Sequence, residues 1–186
     1  MPKISTYPVV APASNDLIIV TDASDSNSTK NVEVGSLTVT VVSGAYTEVY
    51  SLGGTTTAIA QASTWYPLNV TAVQGARNDN SLHLAVNGGE VSNQGLSRTF
   101  LVTYAVAGIA QTNNNLMFRL HKNGNVSPIA YSESDTICGS GNKSTSTGNF
   151  AIVTLNNGDT VRLYCSNATA AQNITLEHFN LVLRQI

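Results

Sequence analysis

From Phe150 to its end the chain is three apolar runs rich in β-branched residues, divided by short polar stretches. Phe150-Ala-Ile-Val-Thr-Leu155 leads through Asn156-Asn-Gly-Asp159 into Thr160-Val-Arg-Leu-Tyr-Cys165, and Ile174 to Ile186 closes the sequence. Branched and aromatic side chains suit a pleated surface, and runs this short do not sustain a helical repeat. Asn and Gly accept the positive φ of tight turns, so Asn156–Asp159 predicts a hairpin between the first two runs. In the third, Phe179, Leu181 and Leu183 fall on one face and Leu176, Val182 and Ile186 on the other. A strand apolar on both faces is covered on both, by a second sheet and by something further, such as a neighbouring subunit.

Upstream runs repeat the pattern. Phe100, Val102, Tyr104 and Val106 alternate with Leu101, Thr103 and Ala105, and Leu116-Met-Phe-Arg-Leu-His-Lys-Asn-Gly124 follows. Leu37 to Val42, Ala45 to Tyr50, Trp65 to Val70 and Ser81 to Val86 read as further strands, the last ended by Asn87-Gly-Gly89. Charged residues make up 11% of the chain, against about 25% in an average globular domain. Ser, Thr, Asn and Gly replace them, which suits an all-β protein with polar, weakly charged loops.

The order of these features resembles the C1q/TNF-like jelly roll: a strand pair ending in Lys122-Asn-Gly124, then a hydrophobic run, Leu155-x-x-Gly158-Asp159-x-Val161, a Ser/Asn-rich loop and a last strand at the terminus. The resemblance implies an antiparallel β-sandwich over residues 45–186 that assembles as a homotrimer. The trimer contacts are expected on strands holding Phe100, Val102, Tyr104, Phe118, Tyr164, Phe179, Leu181 and Leu183.

Residues 1–44 differ in character. Pro2, Pro8 and Pro12 keep the first residues extended, and Leu17-Ile-Ile-Val-Thr21 and Asn31-Val-Glu-Val-Gly35 flank a polar loop. This is a small hairpin that cannot bury itself and must lean on a larger body. The segment resembles the N-terminal attachment segments of tailed-bacteriophage structural proteins, in which an "ndLiivtD" strand precedes a "tKnv" strand. That resemblance implies a virion surface protein, assembled in the host cytoplasm and released by lysis. Tyr7, Leu17, Ile18, Ile19, Val20, Val32 and Val34 are the expected anchoring residues.

No motif carries chemistry. Gly139-Ser-Gly-Asn-Lys-Ser-Thr145 lacks the glycines of a phosphate loop, since Asn142 and Ile137 stand where they belong. Asp22, Asp25 and Asn27 lack calcium-loop spacing, and Glu133 and Asp135 have no partner across a cleft. His83, His121 and His178 are too dispersed for a metal site, and Cys138 and Cys165 read as free thiols. The net charge of -2 with dispersed cations gives no footprint for nucleic acid, and no apolar stretch approaches the ~20 residues of a membrane span. The N-terminus has no secretory leader pattern.

The expectation is therefore non-enzymatic and without cofactor: a trimeric capsid decoration or cement protein held to other virion proteins by its arm. The alternative is a short tail-fibre or knob component binding a host glycan or receptor. Polar loops holding Asn113, Asn114, Asn115, Asn142 and Lys143 are the expected external contacts.

Overall fold

A computed structural model of the chain describes residues 17–22, 28–33, 46–71, 73–74, 84–87, 89–124, 127–141 and 143–186. Within it the chain divides into two compact units, residues 1–42 and 43–186. In the first, β1 (Leu17–Asp22) pairs antiparallel with β2 (Ser28–Glu33), Leu17 opposite Glu33 and Asp22 opposite Ser28. This is the hairpin expected from the two apolar runs. Leu17, Ile18, Ile19 and Val20 lie on β1 and Val32 on β2, whereas Tyr7 and Val34, and the run from Leu37 to Val42, fall outside the described residues.

The second unit is two antiparallel sheets face to face. One, here the first sheet, runs β13 (Thr145–Leu155), β9 (Arg98–Ile109), β15 (Ile174–Gln185), β3 (Tyr46–Ser51), β6 (Val73–Gln74), with β4 (Thr56–Thr57) also on β15. The second sheet runs β11 (Ser127–Pro128), β10 (Asn115–Lys122), β14 (Thr160–Asn167), β8 (Glu90–Asn93), β7 (Leu84–Asn87). β12 (Ser134–Ile137) joins it on β10 and β5 (Tyr66–Pro67) on β14. The fold is thus all-β and antiparallel, and the alternation legible in the sequence becomes inward and outward faces.

The hairpin expected across Asn156–Asp159 does not form. β13 pairs with β9, from Thr145 opposite Gly108 to Leu155 opposite Arg98, while β14 pairs with β10, β8 and β5. The turn instead carries the chain from one sheet to the other. Its end is tied to the second sheet: Gly158 N donates to Asn93 O at 2.6 Å, and Asp159 accepts Lys122 Nζ and Asn123 Nδ2, both at 2.7 Å. β9 and β10, expected as a pair, likewise lie in different sheets.

The core lies between the layers. β9 contributes Phe100, Val102, Tyr104 and Val106, β15 contributes Phe179, Leu181 and Leu183, and Leu116, Phe118, Leu120, Val161 and Leu163 face them from the second sheet. A β-bulge between Leu176 and His178 shifts the side-chain parity of β15. Leu176 is therefore in the core together with Phe179, not on the opposite face as the alternation implies. Gly53 lies against the bulge with φ +95, where a Cβ would meet the Glu177 carbonyl oxygen at 2.2 Å; only glycine fits.

The Tyr104 hydroxyl joins the layers through the core. Tyr104 Oη donates to Ser132 O at 2.8 Å or Phe118 O at 3.0 Å and lies 2.7 Å from Ser134 Oγ. Burial pushes this phenol up to about 12. A lone buried hydroxyl is costly, so these partners are what allow a tyrosine at a core position.

Candidate assembly face

The outward face of the first sheet is the surface that needs explaining. Its register sets Ile152 beside Leu101 and Leu101 beside Arg184, then Phe150 beside Thr103 and Thr103 beside Val182. In the next row Gly148, Ala105 and Asn180 align, followed by Tyr50. Phe150 is 60% exposed and Ile152 61%, although both lie mid-strand in the longest ladder of the edge strand. Leu101 and Val182 are half-buried beside them. Scattered apolar residues on a surface are ordinary, but a contiguous exposed strip is the kind of surface that makes contacts.

Beside this ridge is a depression. Gly148, Ala105 and Ala107 carry little or no side chain, and with Ser146, His178 and Asn180 they border a hollow of about 470 Å³. Gly148 is obligatory, because a Cβ there would sit 2.5 Å from Tyr104 O across the ladder. The rim is polar: Asn180 Nδ2 donates to Glu48 Oε1 at 2.6 Å. Ridge and hollow together form an apolar relief with a hydrogen-bonded border.

The margin where the sheets meet adds to it. Thr136 and Thr145 share a hydroxyl hydrogen bond, and Asn149 Nδ2 donates to Glu133 O at 2.8 Å and Tyr131 O at 3.2 Å. Tyr131, held there at φ +60, is 95% exposed, and Ile137 on β12 is exposed as well.

The residues expected at the trimer contact lie elsewhere. Phe100, Val102, Tyr104, Phe118, Phe179, Leu181 and Leu183 are all buried within the core of one chain. A side chain buried by its own sheets has no surface left for a second copy. Tyr164 is also buried, stacked on His121 with ring centroids 4.0 Å apart on the outer side of the second sheet. The expected strands β9 and β15 do supply the exposed strip, but through Leu101, Ala105 and Val182 on the opposite parity. Phe150 and Ile152, exposed on the edge strand, were not among the expected residues. Their signal was present, since Phe150 and Ile152 alternate with Ala151, Val153 and Leu155.

The expected contact loops divide similarly. Asn113 and Lys143 are exposed, and Asn142 lies outside the described residues. Asn114 is buried, its Nδ2 donating to Gln111 O at 3.0 Å and Gln172 Oε1 at 3.2 Å, so it closes a turn rather than offering a contact. Asn115 is half-buried at the start of β10, its N–H donating to Thr169 Oγ1. Cys138 and Cys165 are buried free thiols. Among the described residues no three His, Cys, Asp or Glu side chains converge as a metal site would require.

No protein-family model matches the chain, and no curated protein does. Solved structures do. Murine APRIL at pH 8.0 superposes with a TM-score of 0.52 at 13% identity, covering 75% of this chain and 98% of that one. The globular domain of zebrafish complement 1qA protein gives 0.51 at 12% identity, covering 77% and 96%. The sandwich is a jelly roll of the TNF/C1q-like fold. At such identities the likeness extends to the fold alone.

Proposed function

We propose that this chain is a non-enzymatic assembly module: a homotrimer built through the outward face of the first sheet, with its arm fixing it to a larger particle. The observation that carries this is the strip of Leu101, Phe150, Ile152 and Val182 beside the hollow floored by Ala105 and Gly148. Ridge and hollow lie side by side on one face, so the ridge of one copy fits the hollow of the next in a head-to-tail contact. Such contacts close into a ring when the rotation between copies allows it. The C1q/TNF-like resemblance supports three as the number.

The particle is a virion, and the protein a decoration or cement component on its head. This is supported by the likeness of residues 1–37 to phage attachment segments. A tail-fibre role is the competing outcome. Particles assembled without the protein separate the two: fragile heads with normal adsorption indicate decoration, and lost adsorption indicates a fibre. A truncation lacking residues 1–37 is expected to remain a soluble trimer and to be excluded from particles. Its normal incorporation would overturn the role given to the arm.

A further inference from the structure

β13 is the end strand of the first sheet, paired with β9 along one side. In an antiparallel ladder each residue aims its N–H and C=O together, alternately toward the partner strand and away from it. Phe150 N donates to Asn149 Oδ1 at 2.8 Å, and Thr154 O accepts from Lys122 Nζ at 2.9 Å, so these two residues aim away from β9. Ile152 lies midway between them with the same parity and is 61% exposed. An open edge of this kind is a template on which a strand of another copy can pair. The run Phe150-Ala-Ile-Val-Thr154 holds no charge and no proline, the composition that favours such pairing.

We infer that Lys122 and Asn149 close this edge: each occupies one backbone group that an incoming strand needs, and together they keep copies of the chain from joining edge to edge. A residue of an added antiparallel strand exchanges both N–H and C=O with the residue opposite it. Phe150 has its N–H taken and Thr154 its C=O, so of the outward-aimed residues 150, 152 and 154 Ile152 alone offers both. One reciprocal pair is too little to hold a strand, since even a complete two-stranded hairpin is marginal in water. Both caps are fixed in place. Asn149 Nδ2 donates to Glu133 O and Tyr131 O; carbonyls only accept, so Oδ1 is the atom left to face Phe150 N. Lys122 reaches across from β10, and Asp159 Oδ2 holds its ammonium at 2.7 Å. An approaching strand has to displace this charge or strip it of water. Nearer its start, β13 lies against β12, joined there by the Thr136 and Thr145 hydroxyls. With the edge closed, contacts through the outward face of the sheet stay finite, whatever number of copies they join.

The test is the double variant K122M/N149A of the full chain, in which neither substituted residue belongs to the core. At a concentration where the wild type stays dispersed, light scattering from the variant should rise with time and a cross-β dye should bind. Adding I152P removes the outward N–H without taking a bond from the β9 ladder, and should return scattering to the wild-type baseline. Amide exchange reads the same edge directly: the Ile152 N–H should exchange fast in the wild type and about 100-fold or more slowly in the variant's polymer. A double variant as dispersed as the wild type, growth that persists in a folded triple variant carrying I152P, or an Ile152 amide that exchanges equally fast in the polymer would each overturn the inference. If the proline unfolds the chain, the exchange at Ile152 decides.

Discussion

Replacing Phe150 and Ile152 together by aspartate separates assembly from folding. Each side chain keeps about 60% of its surface in water within one chain. Full burial of a large apolar side chain contributes about 1.5–3 kcal/mol, so covering the exposed part contributes about 1–2 kcal/mol for each residue. In the proposed trimer the pair would therefore stabilise each intersubunit contact by about 2–4 kcal/mol, a factor of about 30 to 1,000 in its equilibrium constant. A ring of three copies has three such contacts, and aspartate adds the cost of desolvating a charge. The double variant should run as a monomer by light scattering, against the trimer expected of the wild type. Its unfolding free energy as a monomer should change by about 1 kcal/mol or less, since neither side chain is in the core. Leu181→Ala is the counterpart: this residue is fully buried in the chain, and its truncation should cost about 2–5 kcal/mol of folding stability. A double variant that remains trimeric would refute the assignment of the interface to this face.

Three further outcomes follow from the interior and the turns. Tyr104→Phe removes the hydroxyl shared by Phe118 O, Ser132 O and Ser134 Oγ and should cost about 1–3 kcal/mol in denaturant unfolding. The Cys165 thiol is pushed up to about 12 by burial, and Cys138 is equally enclosed. A thiol reagent at mildly alkaline pH should label neither in the native protein and both after denaturation. Hydrogen bonds from Lys122 and Asn123 hold the Asp159 carboxyl down at about 2. An acid held below its unfolded value stabilises the fold above that value, so this contribution is complete above about pH 4 and disappears as pH falls toward about 2. Asp159→Asn should cost about 0.5–1 kcal/mol near neutrality, the range for a partly exposed ion pair, and should flatten the acid limb of a Tm-versus-pH curve.

Much of the sandwich was legible because its signal is local. Alternation located β9, β10, β14 and β15, and Asn87-Gly-Gly89 marked the β7–β8 turn. What alternation cannot encode is which sheet a strand joins. Asn156–Asp159 has hairpin chemistry, yet its bonds run to Asn93, Lys122 and Asn123, and the chain crosses layers there. Nor can it see the bulge at Leu176 and His178, which moves Leu176 into the core. The expected contact residues turn out to be buried for a related reason. A strand apolar on both faces predicts a second cover without saying which face receives it, and a sandwich uses its strongest apolar parity for itself. The weaker parity, Leu101, Ala105 and Val182, with Phe150 and Ile152 on the edge strand, is what stays on the surface, where the proposed contact lies. Asn114 shows the same limit in a loop, since an asparagine that closes a turn looks in sequence like one that greets solvent.

The association state of the unmodified chain tests this most directly. Sedimentation equilibrium at micromolar concentration should return about 58 kDa, three times the 19.5 kDa chain. A species of chain mass that persists as concentration rises, with Phe150 and Ile152 left open to water, would contradict it.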